Sequence, residues 1–517
     1  MRESRIKKSI LNAKVNLVFY AFMLLLSFFS RKVYIEHLGV DFVGLTSTLY
    51  NLLAFLNLAE LGICSAVGYC LYKPLYDRNN DEIINIVSSL AYIYRIVGSI
   101  ILAMGVICSF ILPLFFEDSG QELTIVYLAY FIFLFCTLLS YFVNYKQTLL
   151  SADQKNYVVT LYSQTASIVK IIIQICLLYL VNSAIVWLVV ELLFGIVHSI
   201  ILNWKIKRTY PWLSSSVRHG RRIITKYRII FHHTKRLFVH QIAGVVQSQL
   251  APVLLFAFVS LSMVTLYGNY VLIANQLQRL ASKLLGSTEA AVGHLVAQGN
   301  SEHTIDVYFQ LLSIRYYIGA LLVYGLYNLS NTFISIWLGP SFQLDGYITG
   351  AIYASSFIML TRGVNDQFIF AFGLFGDVWA PLLELVIQVT ACLVLGTHYG
   401  LHGIVFGNLA GMLTVVTFWK PYFLFREGFQ RNVFVYWKRV SLLLVAIMLS
   451  WSICYMLLEL VFTPIQPETY IQWCIYSVQN MILYLLVSIV VFYVVSSCFR
   501  STLKRLIFLV KSWKFQS

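Results

Sequence analysis

Charge is what this 517-residue chain has least of: Asp, Glu, Lys and Arg together make up 11% of it, against 59% hydrophobic residues. A soluble fold of 59.2 kDa has more polar surface to cover than that, so lipid is the expected solvent. Acid is scarcer still, 22 residues against 37 Lys and Arg, which leaves a formal net charge of +15. Strand-like alternation is lacking, so helices must do the spanning. CxxC pairs and metal-ligand spacings are missing, and the nine cysteines lie in or near apolar runs, where they read as small core residues. P-loop, HExxH, GxSxG and DxD-type patterns are absent as well, and no segment between the apolar runs is long enough for a catalytic domain. These gaps argue against an ATP-driven pump. They leave no catalytic residues, metal or cofactor to assign and no reason to expect nucleic acid as a partner.

What the chain does have is a series of apolar runs of the ~20 residues that a helix needs to cross a bilayer core. Fourteen are expected: 14–31, 43–71, 84–116, 123–145, 157–180 and 184–204, then 237–260, 267–296, 305–338, 347–372, 378–397 and 404–425, and finally 440–462 and 471–498. The expected fold is an all-α polytopic membrane protein with 14 transmembrane helices, built as two pseudo-symmetric six-helix lobes plus two C-terminal helices. The lobes are residues 1–204 and 237–425, joined by a basic connection over 205–236, and residues 426–517 carry the last two helices and a basic tail. An ungapped shift of 224 pairs Gly44 with Gly268, Gly62 with Gly286 and Ala66 with Ala290, as a duplicated unit would. Six helices per copy make the repeat parallel, with a cavity between the copies.

Most Lys and Arg fall in the termini and the even-numbered connections, ten of them between Lys205 and Arg236, where no acid occurs. Positive loops resist translocation, so both termini are expected in the cytoplasm. The first run follows Arg2, Arg5, Lys7 and Lys8 with no small-residue cleavage site, which reads as an uncleaved span. The basic connection reads as a topology anchor, or as a contact for anionic headgroups or a partner enzyme.

Six cations stand inside the apolar runs: Arg95, Lys170, Arg279, Lys283, Arg315 and Arg362. Each costs about 2.5–3.5 kcal/mol at bilayer centre, so each should face an acid or a water-filled cavity. Arg279 and Lys283 are four residues apart, on one face near the expected middle of the eighth run, and repel unless an acid or an anionic ligand faces them. Glu289 follows too far round the helix to pair with them, and Glu60, Glu191 and Glu384 could reach in from other helices. Lys170 has no acid within a turn. Arg31, next to Lys32, closes the first run on the outer side, against the positive-inside trend. Arg362 precedes Asp366 by four residues, the spacing of a self-contained ion pair. Arg95 and Arg315 lie toward the cytoplasmic half, where snorkelling competes with a cavity role. Glu60, Glu191 and Glu289 are candidates for coupling to H+ or Na+, and Glu191 with His198, seven residues on, has the spacing of a proton relay.

The stretch from Arg31 through Leu38-Gly39 to Gly44-Leu45, with Leu58-Ala59-Glu60-Leu61-Gly62-Ile63 and Leu71-Tyr72-Lys73-Pro74-Leu75, resembles the N-terminal region of Wzx-type polysaccharide flippases. That family shares a superfamily with MATE drug exporters and lipid II flippases. Gly286 to Gly299, followed by Asn300-Ser301-Glu302, is similar to the matching part of the second lobe. The resemblance implies transfer of an undecaprenyl-pyrophosphate-linked oligosaccharide across the bacterial inner membrane by alternating access, for O-antigen, capsule or exopolysaccharide, alongside other polysaccharide assembly proteins. It also implies a cationic central cavity, a role that Arg31, Lys170, Arg279 and Lys283 would fill here. A MATE-type exporter would need a cavity dominated by acids and aromatics, and a glycan polymerase or ligase would need a large outer loop.

Overall fold

The computed structural model describes residues 5–57, 63–117, 119–227, 244–286, 288–374, 376–377, 379–461 and 467–514. Glu60 and the end of the basic connection lie outside them. Among the described residues all regular structure is helical, and the chain packs as two compact units, Met1–Thr265 and Leu266–Ser517.

In the first unit, α1 (Arg5–Leu38) and α2 (Val40–Leu56) meet at Gly39, whose φ of 87° lies where only glycine is unstrained. There follow α3 (Ile63–Asp77), α4 (Asn80–Ser109), α5 (Leu123–Phe142), α6 (Asn156–Val181), α7 (Ala184–Thr209), the short α8 (Val217–Ile223) and α9 (Gly244–Phe258). α1 packs on α6, α6 on α7, α7 on α5 and α5 on α4 around a core that includes Leu49, Leu90, Tyr130, Leu188 and Leu202. The opposite faces stay apolar: Ile107, Leu114, Leu180 and Ile200 are exposed, as lipid-facing side chains should be.

α10 (Leu261–Gly286) crosses the boundary between the units, and the second unit adds α11 (Glu289–Ala297), α12 (Ser301–Trp337), α13 (Gly346–Ala371), α14 (Trp379–Tyr399), α15 (Leu401–Gly428), α16 (Phe434–Val461), α17 (Tyr470–Val495) and α18 (Ser497–Lys514). α14 packs on α15, α12 on α13 and α17, and α16 on α17. α15 is not uniform. Met412–Trp419 and Leu424–Gly428 are π-helical, on either side of Lys420-Pro421. Pro421 has no N–H to donate and its ring crowds the preceding turn, and a widened turn relieves both.

The described residues of all fourteen expected runs fall mostly on helices. Ten helices are long and apolar enough to cross a membrane, and α2 and α9 are shorter apolar helices. The chain is an all-α, multi-pass membrane protein. The eighth run, however, carries two helices, α10 and α11, with a turn at Thr288, and in the second run α2 and α3 stand on either side of residues 58–62. Unbroken hydropathy does not reveal the turn. In each case the next long helix starts the same way: Asn79 accepts from the Glu82 N–H at 3.0 Å and Asn300 from the His303 N–H at 3.1 Å. The residue before each cap, Arg78 or Gly299, has positive φ. None of the nine cysteines is in a disulfide. Cys392 and Cys454 are core residues as expected, while Cys64, Cys176 and Cys474 are exposed.

Candidate functional site

The first unit holds a polar network inside its apolar core. Glu191 on α7, 8% exposed, receives the Lys170 ammonium of α6 at 2.7 Å and the Tyr50 hydroxyl of α2 at 3.1 Å on one oxygen. Its other oxygen takes the Gln174 amide at 3.1 Å. Gln174, 1% exposed, also donates to the Trp187 carbonyl at 3.3 Å and accepts from Tyr34 of α1 at 2.9 Å. Three helices are thus tied through one carboxylate, and Tyr34 joins a fourth through Gln174. Lys170 and Gln174 are four residues apart, so one face of α6 carries both donors. His198 belongs to the same helix as Glu191, but its buried Nε2 has no hydrogen-bond partner there.

Arg31 sits elsewhere, near the end of α1, where it donates to the Thr265 carbonyl at 3.3 Å. The Thr265 hydroxyl donates to the Val40 carbonyl at 2.7 Å, and Ser262 donates to Asp41. A side chain at Gly44 would collide with the Leu261 carbonyl, so glycine there lets α2 touch the first turn of α10. Lys32, 3.8 Å from Glu36, forms an ordinary (i, i+4) surface pair.

The second unit has a cluster of its own. Asp366 on α13 is held by Arg362 at 2.9 Å, as the spacing predicts, and by Lys420 of α15 at 2.5 Å. Lys420 was not among the six cations singled out from the sequence. It lies inside the twelfth run next to Pro421, and a basic residue beside a proline in an apolar run was the available signal. Arg315 is 6% exposed, so it does not snorkel. Its guanidinium reaches the Leu360 carbonyl at 3.2 Å and packs against Gly363, one turn from Arg362 and Asp366. Arg362 also lines a cavity of about 330 Å³ with Thr361, Asn365, Tyr316, Tyr436 and Trp437. Three cations and one acid therefore meet on one stretch of α13. Arg95, by contrast, is exposed and lies over the Phe142 ring at 5.2 Å, as a snorkelling side chain would.

Arg279 and Lys283 are both exposed on α10. That helix begins six residues before the expected start, so the pair stands about 27 and 33 Å along it at ~1.5 Å per residue. Lys283 falls in the last turn, where the helix dipole favours a cation. Among the described residues Arg279 has no hydrogen bond or ion pair. Glu289 is the exposed first residue of α11, the dipole-favoured place for an acid, and Glu384 is buried on α14. Among the described residues no group of three His, Cys, Asp or Glu could hold a metal ion.

Long apolar helices of this kind, carrying charge within them, define a polytopic membrane fold. The solved structures make it specific. A lipid II flippase, MurJ, in an inward closed conformation is similar at a TM-score of 0.65 and 14% identity, over 94% of this chain and 98% of that one. An inward-facing MATE-family multidrug transporter of the MOP superfamily gives 0.59 at 14% identity, over 80% and 98%. A MOP-superfamily transporter from Pyrococcus furiosus, described by the reverse polarity of its binding pocket, gives 0.54 at 12%, over 83% and 98%. No protein-family model matches the sequence, nor does any curated protein. The likenesses show the fold, which this chain shares with these three solved structures.

Proposed function

We propose that this protein is a flippase of the bacterial inner membrane that carries an undecaprenyl-pyrophosphate-linked oligosaccharide from the cytoplasmic to the periplasmic leaflet, as Wzx-type proteins do. Both termini are cytoplasmic. The lobes are residues 1–204 and 237–425, and other polysaccharide assembly proteins receive the product. The protein moves its substrate without altering it. The observation that carries this reading is the state of Arg279: a cation within an apolar span, exposed, with no acid paired to it among the described residues. An anionic ligand offers such a group charge-assisted hydrogen bonds without the desolvation cost of a permanent buried pair. Lys283, one turn on, adds a second positive charge on the same face. The similarity to a lipid II flippase along nearly the whole chain adds support.

Arg31 and Lys170 have weaker claims to the substrate. Lys170 is committed to Glu191 and Arg31 to a backbone carbonyl. Within the proposal they position helices, and Arg279 and Lys283 meet the pyrophosphate. Glu191 and Glu289 remain the candidates for H+ or Na+ coupling, while the Arg362–Asp366 pair is structural. Export of cationic drugs is less well supported, because Glu191 and Asp366 are already neutralised by the chain's own Lys and Arg. The test is Arg279→Ala with Lys283→Ala in cells whose surface glycan depends on this protein. Glycan should be lost at unchanged protein abundance, and normal glycan at normal abundance refutes the assignment.

A further inference from the structure

The described part of the basic connection is not a loose positive loop. Tyr210 donates to Asp153 at 2.8 Å, and the Tyr145 and Ser215 hydroxyls are 3.1 Å apart. The Ser216 N–H donates to the Ser88 hydroxyl at 3.2 Å, and His219 Nε2 is 2.6 Å from the Asn85 carboxamide oxygen. Tyr227 donates to Glu82 at 2.6 Å, with Lys226 at 3.4 Å. Burial, reinforced by the partner carboxylates, holds the Tyr210 and Tyr227 phenols above their ordinary pKa, so both stay protonated donors at neutral pH. Between these ties, Gly220 brings α8 against the Ser88 carbonyl so closely that any side chain would collide. The seat turns Arg218, Arg221 and Arg222 outward. All three are exposed at i, i+3 and i+4 on one face, and none has a partner among the described residues.

The position of this seat follows from α4. Apolar side chains are exposed along it from Ile96 to Ile107, and again at Leu114 and Phe115 on the short helix Leu112–Phe116 that follows. Ile96 to Ile107 covers about 17 Å at ~1.5 Å per residue, roughly half a hydrocarbon thickness. Arg95 marks the edge, and Ser88, Asn85 and Glu82 lie roughly 10 to 20 Å beyond it. An arginine side chain and a Debye length of about 8 Å together bridge the nearer part of that distance.

We infer that Arg218, Arg221 and Arg222 form a built docking surface for anionic phospholipid headgroups of the adjacent leaflet, fixing the depth of the first unit in the membrane. A topology signal needs positive charge and no fixed geometry. Here five side-chain ties and a glycine contact fix the geometry, and three guanidinium forks presented together suit phosphate oxygens. The inference stands independently of what the protein transports. It is tested by titrating the purified full-length protein in neutral detergent with short-chain phosphatidylglycerol, phosphatidylcholine or inorganic pyrophosphate. The wild type should bind phosphatidylglycerol in preference to phosphatidylcholine, and any pyrophosphate binding should be the same in the wild type and the arginine variants. Arg218→Gln, Arg221→Gln and Arg222→Gln together should weaken that binding about a hundredfold, since each basic residue near an anionic surface contributes a factor of about five. Gly220→Val, which keeps every charge and spoils the seat, should weaken it about tenfold. If Gly220→Val does not fold, Tyr227→Phe with Ser216→Ala loosens the same seat and should act in the same direction. Undiminished phosphatidylglycerol affinity in the triple variant, or in the seat variant that folds, overturns the inference. So does loss of pyrophosphate binding in the triple variant as complete as its loss of phosphatidylglycerol binding, which would make the surface a general anion site.

Discussion

Glu191 anchors three helices through one carboxylate, so the two partners of its ion pair should respond unequally to removal. Glu191→Ala leaves the Lys170 ammonium, the Tyr50 hydroxyl and the Gln174 amide without their acceptor. Breaking a buried pair from one side costs about 3–5 kcal/mol, and the partial exposure of the Lys170 side chain, 22%, argues for the lower end. At about 2–4 °C per kcal/mol, that is a fall of about 6–12 °C in the unfolding midpoint of the first unit. Lys170→Ala leaves Glu191 with two neutral donors, which lowers the expected loss to about 1–2 kcal/mol. The double variant removes the stranded charge as well as its partner, so its cost should fall below the sum of the single losses by about 1–3 kcal/mol. Thermal unfolding of the four proteins in detergent, followed by intrinsic tryptophan fluorescence, measures the cycle. Additive losses, or a Lys170→Ala loss greater than that of Glu191→Ala, would refute the role given to this carboxylate.

Gly44→Val forces α2 away from the Leu261 carbonyl and should destabilise by at least about 1–3 kcal/mol, read as reduced abundance in membranes. In the second unit, Asp366→Ala strands both Arg362 and Lys420, whereas Lys420→Ala leaves an (i, i+4) pair intact. The aspartate variant should therefore unfold at the lower temperature, and the reverse order would contradict the cluster described here.

The sequence carried the spans because hydropathy is local and a bilayer enforces it. It also carried the Arg362–Asp366 pair, because helix geometry alone brings i and i+4 together. Lys170 with Glu191 was different: the acid could be named as one of several, but which helix faces α6 is decided by packing. The turn between α10 and α11 and the early start of α10 were hidden because apolar composition continues on both sides. They matter for the site, since the early start of α10 moves Lys283 from mid-span to a helix end. Arg315 had the composition of a snorkelling residue. Only the close approach allowed by Gly363 shows why it is buried.

The central claim is movement of a pyrophosphate-linked glycan between leaflets, and its most direct measurement is the sidedness of that lipid in cells depleted of the protein. Undecaprenyl-pyrophosphate-linked oligosaccharide should accumulate on the cytoplasmic leaflet, shielded from a membrane-impermeant glycan probe applied to spheroplasts. Probe labelling equal to that of undepleted cells would contradict the account.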